Sequence, residues 1–97
     1  MKIGVCIFRL RFPENGSLKD KRRLVKSLLA RASNKFNIAI AEVGDQDIWQ
    51  ATTIGFSCVG NDALFVNEVA YKAINFLELN SKDAELQDFA VEILDAF

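Results

Sequence analysis

The stretch KIGVCIFRLRF, residues 2–12, alternates without a break. Gly4, Cys6, Phe8, Leu10 and Phe12 share one parity, and Ile3, Val5, Ile7, Arg9 and Arg11 share the other. Successive side chains of a strand point to opposite faces, so this pattern specifies a strand with one core face and a second, partly apolar face. PENG (13–16) then makes a turn. From Leu18 to Phe36 the spacing changes to a helical period, with Leu18, Val25, Leu28, Leu29, Ala32 and Phe36 on one side.

The same plan follows a second time. NIAIAEV (37–43) predicts a second strand, GDQDIWQ (44–50) a turn-rich connection and TTIGFSCVG (52–60) a third strand. Asn61 or Asp62 caps a second helix with the stripe Phe65, Val66, Val69, Ala73, Phe76 and Leu77. LNSKD (79–83) breaks it, and Phe89, Val91 and Ile93 alternate in a last strand. The order βαββαβ with two amphipathic helices predicts a ferredoxin-like α+β sandwich: a four-stranded antiparallel sheet, strands 1 and 3 central, with both helices on one face. The length suits a single domain over 1–97. In this topology the first two strands run the same way. The 13–17 turn, the start of the first helix and the 44–51 connection therefore gather at one end of the sheet, joined there by the 80–83 turn.

Several function classes fall away on composition. There is no histidine, which removes the commonest general base and every Ser-His or Cys-His pair. Two cysteines, Cys6 and Cys58, both lie in apolar strand contexts and read as small reduced core residues. No zinc spacing exists, and Glu42, Asp45 and Asp47 do not match a calcium-loop spacing, so neither metal nor cofactor is expected. The first residues carry charges within the apolar stretch and lack a cleavage site, and no apolar stretch approaches a membrane span. A cytoplasmic, non-enzymatic protein is the expectation.

The charge is unevenly distributed. Residues 1–35 hold ten Lys and Arg against Glu14 and Asp20, or +8, while residues 36–97 hold two against eleven acids, or −9. The basic excess peaks in SLKDKRR (17–23). Ser17 is a good N-cap with Asp20 three residues on, yet a helix start favours anions, and here it carries cations. By the 3.6-residue period Lys19, Arg22, Arg23 and Lys26 form one solvent-facing stripe, either a solvated face or a surface for phosphate, with Arg11 within reach. Lys21 turns toward the core margin instead. Glu42 shares the parity of Ile38 and Ile40, which puts it on the helix side, where an unpaired carboxylate is costly. An ion pair from Glu42 to Lys21 or Arg22 is expected.

Beside this stripe stand Trp49 and Gln50. Trp49 either closes over the end of the core as a lid or stands exposed as a stacking platform, and Gln50 either reads a base or caps a backbone group. The sheet face away from the helices carries Val5, Ile7, Arg9 and Arg11, then Ala39, Ala41 and Val43, then Thr53, Gly55, Ser57 and Val59. Its central strands have no aromatic residue, which excludes base stacking of the RNA-recognition-motif kind. A smooth apolar face with Val5, Ile7 and Val59 suits packing against a second chain, so a homodimer is expected. Asp88 and Glu92 are placed to pair with Arg9 or Arg11.

SLKDKR (17–22), FN (36–37), AEV (41–43), QD (46–47), WQ (49–50), Gly55, Val59 and ND (61–62), in this order, resemble the YlxP-like family of small bacterial proteins. Gly44-Asp45 replaces a more typical Asp-His pair there, and Ile7-Phe8 a charged and then a branched residue. The resemblance implies a ferredoxin-like domain without assigned function. Its genes often lie among translation genes, which implies a contact with ribosomal RNA or a ribosomal subunit. The expectation is thus an RNA-phosphate-binding accessory protein of translation. The alternative is a protein-interaction or homodimerisation module in which the basic stripe only solubilises.

Overall fold

A computed structural model describes residues 1–97. Its elements are β1 (Lys2–Arg11), α1 (Leu18–Lys35), β2 (Ala39–Gly44), β3 (Ala51–Gly60), α2 (Ala63–Asn80) and β4 (Glu85–Asp95). The sheet order is β2-β3-β1-β4, antiparallel throughout, with both helices on one face: the ferredoxin-like arrangement. No helix is long and apolar enough to cross a membrane.

β1 organises the core. Phe8 stands opposite Ile54 of β3 and Phe89 of β4, and Phe8, Leu10, Phe12 and Ile54 are buried beneath the helices. α1 adds Val25, Leu28 and Ala32; α2 adds Val66, Ala70, Ala73, Ile74 and Leu77. Each large side chain among these contributes about 1.5–3 kcal/mol by leaving water. α2 lies very close to β1. A Cβ on Gly4 would come within 2.6 Å of Val66 Cγ1 and 3.0 Å of Cys58 Sγ. Val66, Ala70, Ala73 and Leu77 of α2 are buried with no exposure, whereas Phe65 lies beside Gly60 and is exposed, which corrects the sequence expectation for it.

Two strand limits also differ from expectation. β2 begins at Ala39 because Phe36 caps α1, its N–H donating to Ala32 O at 2.9 Å, and its carbonyl then accepts from Ile38 N at 3.0 Å. β4 begins at Glu85, well before Phe89. The register on β1 shifts between Arg9 and Leu10, opposite Asp88 and Leu86, leaving Gln87 as a bulge that breaks the alternation. A second register shift falls between Glu42 and Gly44 of β2. Lys2 pairs with Asp95 at 2.9 Å across β1 and β4. This hydrogen bond, with the Lys2 charge behind it, holds the Asp95 carboxyl below its ordinary range.

Gly4→Ala is expected to cost about 1–3 kcal/mol through overpacking against α2. Gly16→Ala, where nothing lies within 4 Å of the added carbon, should change stability by less than about 0.5 kcal/mol. Urea unfolding of the two variants checks the difference. Both cysteines are buried on the helix side, and burial pushes the Cys6 thiol up to about 11 and raises Cys58 as well. A thiol-reactive chromophore at mildly alkaline pH should therefore find neither thiol in the native protein and both in denaturant.

Candidate functional site

The end of the molecule where β1 and β2 finish is built around one side chain. Ser17 caps α1, its Oγ accepting from Asp20 N at 3.1 Å, and the helix then buries residues 21, 25, 28 and 32 in a single stripe. Lys21 heads that stripe, so its side chain is directed inward and is fully buried. Its ammonium donates to Glu42 Oε2 at 3.0 Å and to the backbone carbonyls of Asp45 at 2.7 Å, Gln46 at 3.1 Å and Ala51 at 3.1 Å. An ammonium has three N–H groups, so the four oxygens share them. Glu42 Oε2 accepts a second bond, at 2.5 Å, from the buried Thr52 hydroxyl.

This arrangement explains the path of the 45–51 connection. Three of its carbonyls point into the protein, where each would be costly without a donor. Asp45 makes the turn possible by adopting a positive φ of 60°, a conformation that Asp tolerates better than most residues. Its carboxylate accepts from Thr53 Oγ1 at 2.6 Å, and its carbonyl from Ile48 N at 3.1 Å. No buried side-chain polar atom is left without a partner.

A second set of bonds laces this connection to the 12–17 turn. Phe12 N donates to Gln50 O at 2.8 Å. The Gln50 amide donates to Pro13 O at 3.3 Å and Asn15 O at 3.4 Å. The Asn15 amide donates to Ser17 O at 2.8 Å and to the Trp49 carbonyl. Gln50 therefore caps backbone groups. Trp49 does not close over the core: its backbone is fixed by Asn15 while its side chain is 47% exposed, which corrects the lid expectation.

With Lys21 turned inward, the other cations of the run stay outside. Lys19, Arg22, Arg23 and Lys26 are exposed and none takes part in an ion pair. They sit at i, i+3, i+4 and i+7, neighbours on one helix face, where like charges repel by about 0.2–0.5 kcal/mol per pair. Arg11 is exposed at the end of β1 and also unpaired, whereas Arg9 lies 3.9 Å from Asp88. No three His, Cys, Asp or Glu side chains are grouped as a metal site; Glu42 and Asp45 are held by Lys21, Thr52 and Thr53. Sequence reasoning missed Asn15, Thr52 and the three carbonyls. The signal for Lys21 was present, since counting back one turn from Val25 reaches it.

The frame and this end of it define a small ferredoxin-like α+β protein whose exposed basic helix start is anchored by a buried lysine. The chain belongs to a family described as proteins of unknown function, DUF503, which it matches over residues 3–91. It is 38% identical over 63 residues to the uncharacterized protein YlxP of Bacillus subtilis (strain 168), covering 65% of this chain and 68% of that one. Among solved structures it is similar to the de novo designed protein Foldit4, with a TM-score of 0.53 and 13% identity over the whole of both chains. That likeness concerns the fold alone.

Lys21→Met should destabilise the protein by about 3–5 kcal/mol, because it strands a buried carboxylate and several carbonyls. Adding Glu42→Leu removes the stranded charge but not the need of the Asp45, Gln46 and Ala51 carbonyls. The double variant is expected to recover only part of the loss in urea unfolding. Full recovery would reduce the lysine's role to its ion pair.

Proposed function

We propose that the protein is an RNA-phosphate-binding accessory protein of translation or ribosome maturation, acting through the start of α1. One observation carries the reading: four exposed cations in a contiguous row that no carboxylate of the chain neutralises. Such a row gives the fold nothing and costs some repulsion, whereas a phosphate backbone laid along it releases counterions and gains affinity. Exposed backbone at the helix start favours the same charge. Arg11, exposed and unpaired at the end of β1, adds a further cation at this end of the molecule, and the half-exposed Trp49 offers a face on which an unpaired base stacks. The open sheet face supports no such stacking. The ribosomal setting rests on the family resemblance.

A second reading is a protein-interaction module with no nucleic-acid role. It rests on the open sheet face, where Ile7, Val43 and Val59 are each about half exposed. The two readings differ in their response to salt. Four phosphate contacts give a log–log dependence of affinity on salt with a slope of about −3 to −4. Binding to ribosomal subunits and to unrelated RNA, measured at low and physiological salt, should show that slope. The triple variant Lys19→Glu/Arg23→Glu/Lys26→Glu should lose it while keeping the native melting profile. Salt-independent binding, or binding that survives the triple variant, would sink the phosphate reading.

A further inference from the structure

We propose that the cationic row of α1 takes an unpaired RNA strand and not a double helix, with Trp49 stacking on a base of that strand. The inference rests on the phosphate reading above. Two observations carry it: where the cations of the chain are free, and where its single tryptophan is fixed.

The chain has twelve Lys and Arg. Lys2 and Arg9 face Asp95 and Asp88, and Lys21 is buried on Glu42. Arg31 donates to the Asn80 carbonyl at 3.2 Å, and the Lys35 ammonium lies 5.5 Å from the centre of the Phe76 ring. Lys82 lines a small cleft together with Glu14 and Asp83. Lys72 follows Glu68 by one turn of α2. What remains is Lys19, Arg22, Arg23 and Lys26 in one row, and Arg11. From Lys19 to Lys26 that row rises only about 10 Å along the helix axis.

A double helix carries phosphates on two strands, and proteins that hold duplex RNA make their contacts across a groove. Free cations in one short row meet one strand. A second strand finds no second row, and residues 36–97, with two cations against eleven acids, repel it.

Trp49 supplies what phosphate contacts lack. The Asn15 amide donates both to the Ser17 carbonyl and to the Trp49 carbonyl. Ser17 caps α1, so the tryptophan main chain is held beside the helix start, at the Lys19 end of the row. Its side chain is 47% exposed, a large ring that the fold leaves uncovered. Inside a double helix each base face is covered by its neighbours, whereas an unpaired strand has bases free to stack on an aromatic ring. Row and ring together fit a strand whose phosphates follow α1 while one base turns onto the indole.

Trp49 is the only tryptophan, so its emission reports the contact directly. A short unstructured RNA strand should quench that emission. It should also bind more tightly than the same strand annealed to its complement, compared at equal phosphate concentration. Trp49→Ala, at an exposed position, should keep the native melt and the salt slope. It should weaken strand binding, followed by anisotropy of labelled RNA, by about five- to a hundredfold. A duplex bound as tightly as the strand overturns the inference, as does strand binding that Trp49→Ala leaves unchanged. If Lys19→Glu/Arg23→Glu/Lys26→Glu abolishes binding in either of those cases, the phosphate reading stands without it. Binding of neither RNA at low salt overturns both.

Discussion

A charged ammonium with no exposure to water sits at the head of the core stripe of α1, and the whole β1–β2 end of the protein is arranged around it. Burying one charge is unfavourable unless its partners replace the hydration shell. Here one carboxylate and three main-chain carbonyls do so. The dependence runs both ways. Without the cation the inward-facing carbonyls of the 45–51 connection lose the donor they share, and without that connection the cation has no shell. A hydrophobic residue of similar volume serves neither. This reciprocity ties the first turn of α1 to the end of β2 and the start of β3, three pieces of chain distant in sequence.

The same side chain sorts the charges of its segment. Five of the seven residues in SLKDKRR are charged; the fold withdraws Lys21 and leaves Lys19, Arg22 and Arg23 outside with Asp20. The wider asymmetry between the two parts of the chain is met only in part by pairing. Lys2–Asp95, Arg9–Asp88 and Lys21–Glu42 each join a cation of residues 1–35 to an acid of residues 36–97. Two of these are surface pairs, worth about 0–1 kcal/mol each. The remaining cations of α1 stay available to solvent and to whatever anion approaches.

Local pattern revealed much of this frame before any coordinates. The parity of β1 decided which side chains meet the helices, and the parity of Ile38, Ile40 and Glu42 put the carboxylate on the same side as Lys21. What escaped was whatever depends on main chain or on irregularity. Carbonyls have no letter in a sequence, so the shell around Lys21 could not be anticipated beyond Glu42. Gln87, bulged out of β4, placed Leu86 and Phe89 three apart on one face and hid the first part of that strand. Phe65 looked like a core residue by spacing, but it is Val66 beside it that packs onto Gly4, a tertiary fact that no helical period encodes. Trp49 could be placed beside the basic row from topology, whereas its exposure follows from how Asn15 fixes its backbone.

The two bulges have a consequence for how the sheet ends. Its edges are β2 and β4, each a row of main-chain donors and acceptors with no further strand. Flat, regular edges recruit strands from other molecules and seed aggregation. Here β2 is only six residues long and its register slips before Gly44. β4 is longer, yet it kinks at Gln87 and carries Glu85, Asp88 and Glu92. A stray strand would find no straight ladder on either side and a row of negative charge on one. The irregularities that obscured the strands in the sequence thus also make both edges poor templates for a fifth strand.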